Sequence, residues 1–175
     1  MNYMILKNIL PALIITVVMG LLLAASKKKP KQDDLGNLLL QLPKFYYMLG
    51  ILVILGGIAL LIFGFFFANK NDQILAIISS SIALIVGLLL FTKGYISNIR
   101  ITDSEITETT IFGKTKKIRY NKISDITFGK TSQEIKISSS NKTIKAHIHL
   151  VGIDSLISKL EEKTGRTRNQ IGIPE

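Results

Sequence analysis

Two long apolar segments, 45–67 and 74–91, are separated by a short link, 68–73, that is mostly polar. Neither segment contains Asp, Glu, Lys, Arg or His. A helix as long as the first segment rises about 34 Å, and the hydrocarbon core of a bilayer is about 30 Å thick. So short a link allows only a tight antiparallel hairpin. The chain is therefore predicted to be an integral membrane protein that contains a helical hairpin, 45–94.

A third apolar segment, 9–25, opens the chain and is followed by four lysines, Lys27, Lys28, Lys29 and Lys31. It can be interpreted as a secretory signal, with small residues at 24–26 as the cleavage site. It can also be a retained span, extended to adequate length by residues 3–6. The lysines favour the span, because such clusters stop translocation and stay in the cytoplasm. We expect residues 1–25 to form a first transmembrane helix, and leave open whether they are retained or cleaved.

The basic residues that flank the spans also predict their orientation. Lys44 precedes the second span, Lys93 and Arg100 follow the third, and the link 68–73 carries only Lys70 beside Asp72. Cytoplasmic flanks carry the excess of Lys and Arg. The chain is thus predicted to be a multi-pass protein of the plasma membrane, with its N-terminus outside and everything after residue 95 in the cytoplasm.

Small residues recur along both segments of the hairpin. They are spaced by seven in the first and by four in the second: Gly50, Gly57 and Gly64, and Ser79, Ala83 and Gly87. Small side chains let helices approach closely in lipid. We expect the two rows to pack against each other; the alternative is that one row recruits a partner helix or a second copy of the chain. Apart from serines 79–81, the two spans of the hairpin offer few polar groups at membrane depth, which argues against a transport pathway.

Residues 26–44 are predicted to form a basic cytoplasmic linker. The segment contains five leucines between Leu35 and Leu42, and Pro43 ends this leucine-rich stretch. One interpretation is a short interfacial helix capped by Asp34, with its leucines in lipid. The other is a plain linker.

From residue 97 onward the sequence alternates with period two between turn residues and is rich in β-branched side chains. This pattern predicts about six short antiparallel strands. Ile153, Leu156, Ile157 and Leu160 then follow the spacing of an amphipathic helix, and Gly165 is placed as its C-terminal cap. The predicted fold is an α+β domain, 95–165: a bent antiparallel sheet or small barrel closed by a helix. Residues 166–175 are expected to be a flexible tail.

This order of elements resembles the bacterial pleckstrin-homology-like (PH-like) membrane proteins. The residues that carry the resemblance are the opening "ITDSEITETTIFGKTKKIRYNKISDITF" and the closing "TIKAHIHLVGIDSLISKLEEKTG". The chain departs from the family in its extra N-terminal span and in Tyr120, where many members have tryptophan. The resemblance implies a PH-like fold, and lipid or protein binding as its use.

The densest basic group is predicted to be the lipid-contacting surface: Lys114, Lys116, Lys117, Arg119 and Lys122. Each charge near an anionic leaflet contributes about 1 kcal/mol. The alternative is an ordinary solvated strand face, because Lys117 and Arg119 alternate with Ile118 and Tyr120.

Other kinds of site are not predicted. His147 and His149 are expected to be surface residues on one face of a strand; zinc needs at least three protein ligands, and the chain has no cysteine. No catalytic constellation or cofactor motif is present, so we expect no enzyme activity. The net charge of +10 is partly explained by membrane topology, and the domain lacks exposed stacking aromatics, so nucleic acid is not an expected partner.

The sequence therefore predicts a membrane-anchored, non-catalytic binding module. Its cytoplasmic PH-like domain would contact protein partners or anionic lipid of the inner leaflet. The alternative is an accessory subunit that assembles a membrane complex, or a homo-oligomer, through its transmembrane helices.

Overall fold

A computed structural model of the chain describes residues 27–173, together with Gly20, Ala24 and Ala25. The predicted first transmembrane helix, 1–25, otherwise lies outside the described residues. Within them, two long apolar helices precede most of an antiparallel sheet domain.

The two helices, α1 (Phe45–Phe66) and α2 (Lys70–Tyr95), form the predicted antiparallel hairpin. Both are long and apolar enough to cross a membrane. Their apolar side chains point outward: Leu52 is 67% exposed, Phe66 78% and Leu75 66%. A core helix of a soluble protein would bury such residues, so this exposure is consistent with membrane association. Helix α2 starts earlier than its apolar segment, with Asp72 in its first turn, where a negative charge complements the helix dipole.

Small residues form the contact between α1 and α2. The buried positions of α1 are Gly50, Gly57 and Gly64, and those of α2 are Ser80, Gly87 and Gly94. A Cβ atom added to Gly50 would lie 2.9 Å from the carbonyl oxygen of Gly87. The glycines predicted to line the hairpin interface are thus found there. The buried serine, however, is Ser80 and not the predicted Ser79, because both helices keep a seven-residue repeat at their contact.

The sheet domain contains two antiparallel sheets. The first has the order β1-β2-β3-β4-β5, and the second has the order β6-β7-β8. The strands of the first sheet are β1 (Lys31–Gln32), β2 (Leu38–Gln41), β3 (Asn98–Ile101), β4 (Glu105–Thr109) and β5 (Thr115–Arg119). Those of the second are β6 (Asp125–Gly129), β7 (Glu134–Ser139) and β8 (Lys142–His147). The strands after α2 match the predicted meander.

The segment predicted as a linker, 26–44, is instead part of the sheet domain. Strand β2 pairs with β3, and Leu40 is fully buried in the domain core. The predicted cap at Asp34 is absent; the neighbouring Asp33 closes the β1–β2 turn by accepting hydrogen bonds from the backbone N–H groups of Leu35 and Asn37 at 3.0 and 2.8 Å. Leu38, Leu40 and Leu42 lie on the same face of the extended chain and pack in the domain core, which explains why they bury here rather than in lipid.

A short 3₁₀ turn, Tyr120–Lys122, joins the two sheets. Tyr120 is buried, and its hydroxyl group donates a hydrogen bond to the carbonyl oxygen of Thr102 at 3.2 Å. Burial, and then the carboxylates of Asp103 and Glu162, raise the pKa of Tyr120, so the phenol stays neutral.

Helix α3 (Ile153–Thr164) closes the core as predicted. Its four periodic apolar residues are buried, and Gly165 caps it in a left-handed conformation with φ of 70°. The expected flexible tail is not found in the described residues after Gly165. Helix α4 (Arg168–Ile171) follows, and Ile171 and Ile173 are 4% and 5% exposed. Two isolated isoleucines carry no periodic pattern, so their burial in the core cannot be predicted from local sequence.

Candidate functional site

Both helices of the hairpin are connected to the first sheet at the same end of its strands. Strand β2 ends at Gln41 and α1 begins at Phe45; α2 ends at Tyr95 and β3 begins at Asn98. Gln41 and Asn98 are paired across β2 and β3. The hairpin is thus inserted between two neighbouring strands, and we call this end of the sheet domain the helix-proximal end.

A cavity of about 440 Å³, here called the junction cavity, lies where the helices meet the sheet. Its lining residues come from the first sheet, both helices and the connection between β2 and α1: Lys31, Gln41, Leu42, Lys44, Tyr47, Gly94 and Tyr95. Two ammonium groups and no carboxylate line it. Among the described residues, neither Lys31 nor Lys44 forms an ion pair. The junction cavity is therefore suited to an anionic group.

Two tyrosines, Tyr47 and Tyr95, line one side of the junction cavity, and Phe91 packs on the second of them. The rings of Tyr47 and Tyr95 meet edge to face with centroids 6.4 Å apart, and Phe91 stacks on Tyr95 at 5.6 Å. A Cβ atom on Gly94 would lie 2.7 Å from the backbone nitrogen of Tyr47, so glycine is needed for this close approach of the helices. Tyrosine next to lysine at the end of an apolar helix is typical of a membrane–water interface.

A smaller cavity of about 190 Å³, the inter-sheet cleft, separates the two sheets at the same end. It is lined by residues of both signs of charge, among them Lys93 of α2, Glu108, Glu134, Lys145 and His147. The buried Oε2 atom of Glu108 lies 3.4 Å from the Lys116 ammonium without hydrogen-bond geometry. The hydroxyl oxygen of Thr110 is buried and has no hydrogen-bond partner in the described part of the chain. The cleft is small and its lining mixes charged with apolar side chains, which fits water or a small solute better than a lipid headgroup.

The basic group predicted from the sequence does not form one surface. Lys116 turns inward and bridges the sheets, donating a hydrogen bond to the carbonyl oxygen of Thr143 at 3.2 Å. Lys117 pairs with Glu105 at 3.5 Å on the outer face. Lys114 lies in the β4–β5 turn at the helix-proximal end, whereas Arg119 ends β5 about 17 Å farther away. Lys122 belongs to the 3₁₀ turn between the sheets.

The two histidines are not the surface pair that was predicted. Strand β8 ends at His147, and His149 is only 4% exposed in the turn that follows. Their ring centroids are 4.9 Å apart, and the backbone N–H of His149 donates to Nδ1 of His147 at 3.2 Å. Burial lowers the pKa of both side chains; for His147, the charges of His149 and Lys93 act in the same direction and Glu134 acts against them. No group of three potential metal ligands is present among the described residues.

In the sequence, Lys31 and Lys44 indicate only the topology of the spans. Their convergence depends on the β1–β2 hairpin, which folds Lys31 back and lies in the segment predicted to be a linker. Only the basic residues next to the spans could have indicated the junction cavity.

Comparison with protein-family models, curated proteins and solved structures gives no match for this chain. The resemblance to PH-like membrane proteins therefore rests on the sequence segments quoted above and stays a prediction.

Proposed function

We propose that this chain is a non-catalytic, membrane-anchored binding module. In this proposal a PH-like sheet domain is held against the cytoplasmic leaflet and binds anionic lipid headgroups at the junction cavity. The observation that carries the proposal is the insertion of the apolar hairpin between the paired strands β2 and β3.

The insertion leaves the sheet domain little freedom to move away from the membrane. Only residues 42–44 connect β2 to α1, and only residues 96–97 connect α2 to β3. A fully extended chain spans about 3.5 Å per residue, so each connection reaches about 7–14 Å. The headgroup layer on each side of a bilayer is about 5–8 Å thick. If the hairpin crosses the bilayer, the helix-proximal end lies at headgroup level.

The distribution of basic residues supports placement of the sheet domain at the cytoplasmic leaflet. Lys31, Lys44 and Lys93 lie at the helix-proximal end, whereas the far end of the hairpin has Lys70 close to Asp72. Basic residues collect on the cytoplasmic side, and each contributes about 1 kcal/mol of attraction to an anionic leaflet. The junction cavity brings two of these charges together with two tyrosines, which makes it the best candidate for headgroup binding.

The architecture supports the PH-like assignment. An antiparallel strand meander is followed by an amphipathic helix, α3, that packs on the core, and then by the short helix α4. The chain departs from the expected order because two of its strands, β1 and β2, precede the hairpin rather than follow it. A PH-like domain interrupted by its own membrane anchor is therefore the proposed arrangement.

Lipid analysis of the purified full chain tests the proposal. The protein would be extracted in a mild detergent from membranes of mixed lipid composition, and the lipids that co-purify would be quantified by mass spectrometry. We expect enrichment of anionic over neutral lipids, reduced about thirtyfold when Lys31→Gln and Lys44→Gln are combined, since two charges account for about 2 kcal/mol.

The matched control is the pair Lys117→Gln and Arg119→Gln, which removes the same charge from the outer face of β5. This pair is expected to retain the enrichment. Loss of enrichment in the control alone would move the lipid site to the basic group predicted from the sequence. Absence of enrichment in the unaltered protein would contradict lipid binding and make protein partners the leading hypothesis.

The alternative, an accessory subunit acting through its helices, required a row of small residues free to bind a partner. Gly50, Gly57, Gly64 and Gly87 instead contact the other helix of the same hairpin. No specific observation in the described part of the chain favours this alternative, and it stays a prediction.

A further inference from the structure

Phe112 is 79% exposed at the tip of the β4–β5 turn. The turn is well defined: the backbone N–H of Thr110 donates to the carbonyl oxygen of Lys114, and that of Gly113 donates to the carbonyl oxygen of Thr110, both at 2.9 Å. Gly113 takes the left-handed conformation with φ of 72°, which a turn of this kind requires. Asn, Asp, Gly, Pro and Ser are the residues that turns favour, so local turn chemistry does not account for a phenylalanine at the tip.

The register of the strands places this turn at the helix-proximal end. Thr109 pairs with Asn98 on one side and with Thr115 on the other. Strand β3 begins at Asn98, just after the end of α2. Residues 110–114 follow Thr109, the partner of Asn98, and therefore extend beyond the sheet toward the C-terminal end of α2. The inter-sheet cleft gives an independent observation, because Thr110 and Ile111 line it together with Lys93 of the last turn of α2.

We infer that Phe112 inserts into the interfacial region of the same leaflet in which α1 and α2 are anchored, with Lys114 beside it at the phosphates. The inference rests on the proposed function, since it requires the hairpin to cross the bilayer. Phe112 extends from the end of the first sheet at which α2 ends and β3 begins. Exposed aromatic residues next to lysine bind at this depth of a membrane.

Insertion of Phe112 gives the sheet domain a third point of contact with the bilayer. The two connections at 42–44 and 96–97 join the domain to the hairpin along one line. A third contact away from the line fixes the tilt of the domain. Because Thr110 and Ile111 belong to the same turn and line the inter-sheet cleft, the contact also places the cleft at the membrane surface.

Single-tryptophan fluorescence tests this inference, because the chain has no tryptophan of its own. The full chain would carry Phe112→Trp, Leu35→Trp or Leu52→Trp and be reconstituted in phosphatidylcholine–phosphatidylglycerol vesicles containing lipids brominated at known acyl depths. Leu35 is the matched control: it is 84% exposed in the β1–β2 turn, at the opposite end of the same sheet. Leu52 reports on the hairpin itself.

We expect Leu52→Trp to be quenched by deep bromines and Phe112→Trp by shallow ones. Leu35→Trp should not be quenched at any depth, and Phe112→Trp should be about twofold less accessible than Leu35→Trp to aqueous acrylamide. If Phe112→Trp behaves like Leu35→Trp while Leu52→Trp is quenched, the inference is wrong and the proposed function stands. If Leu52→Trp is not quenched either, the hairpin does not enter the bilayer and both are wrong.

Discussion

Gln41 and Asn98 are paired residues on neighbouring strands, and the entire apolar hairpin lies between them in the sequence. The strand pair β2–β3 therefore closes a loop whose contents are two long helices. Loop closure of this length has an entropic cost, and in this chain the close packing of α1 against α2 offsets it by bringing residues 45 and 95 together. Stability of the hairpin and stability of the sheet domain are consequently linked.

Packing of the hairpin predicts that alanine substitutions at two nearby glycines, Gly50 and Gly56, have different effects on stability. A Cβ atom on Gly50 would lie 2.5 Å from the backbone nitrogen of Phe91, whereas one on Gly56 would meet nothing within 4 Å. Gly50→Ala should lower the free energy of unfolding by about 1–3 kcal/mol. Gly56→Ala should leave it unchanged or raise it by up to about 1 kcal/mol, because alanine is the better helix former. Unfolding of the full chain in mixed micelles with increasing sodium dodecyl sulfate measures both; equal effects would show that α1 and α2 do not pack as described.

Contact between Pro30 and Gly152 predicts that alanine is more destabilising at Gly152 than at Gly165. Gly152 and Gly165 both have left-handed backbones, with φ of 81° and 70°, so alanine at either costs about 1–2 kcal/mol. Only at Gly152 would the added Cβ atom meet a neighbour, the Pro30 side chain at 2.5 Å. Gly152→Ala should therefore destabilise the protein by about 1–3 kcal/mol more than Gly165→Ala. Chemical unfolding measures the difference, and combining Gly152→Ala with Pro30→Gly should remove it; an excess cost that survives the double substitution would disprove this contact.

Buried histidines predict a loss of stability on mild acidification. The pKa of His147 and that of His149 are lowered from 6.5 in the folded chain, so the unfolded chain binds protons first as the pH falls. Stability is fully present above pH 6.5 and is lost as the pH falls through the folded pKa values. The urea midpoint of the full chain in micelles, followed by the near-ultraviolet circular dichroism of its tyrosines, should fall between pH 7 and pH 5.5.

The matched variant for this pH effect is His149→Asn, whose midpoint should change less over the same pH interval, whatever its stability at pH 7. An unchanged pH dependence would assign the effect to other groups. Most carboxylates remain ionised over this interval, which separates the histidine effect from acid unfolding.

Local patterns in the sequence are sufficient to predict the hairpin, the strands after α2 and helix α3. The stripe of Ile153, Leu156, Ile157 and Leu160 and the capping Gly165 all depend on neighbours within one or two helical turns. The pairing of β2 with β3 has no such pattern, because the partner of Leu40 is Ile99, on the far side of the hairpin. The tail was mispredicted for the same reason: Ile171 is buried by elements remote from it in sequence.

The candidate site depended even more on long-range structure. The sequence shows that Lys114, Lys116 and Lys117 are close along the chain, but strand geometry sends Lys116 and Lys117 to opposite faces. Lys31 and Lys44 become neighbours of one cavity only after the β1–β2 hairpin has folded back. The register of the first sheet decides which of these lysines lie near the helices. It therefore also sets the distance of each charge from the proposed membrane surface.

The most direct test of the account is to locate the two ends of the hairpin relative to the membrane. The chain has no cysteine, so Asn69→Cys in the helix–helix link and Lys142→Cys at the far end of β8 each give one reactive thiol. Both would be treated with a membrane-impermeant maleimide in intact cells and after permeabilisation. The account predicts that Asn69→Cys is labelled in intact cells and Lys142→Cys only after permeabilisation. Labelling of Lys142→Cys in intact cells, or of both positions to the same extent, would contradict a membrane-crossing hairpin that holds the sheet domain on the cytoplasmic side.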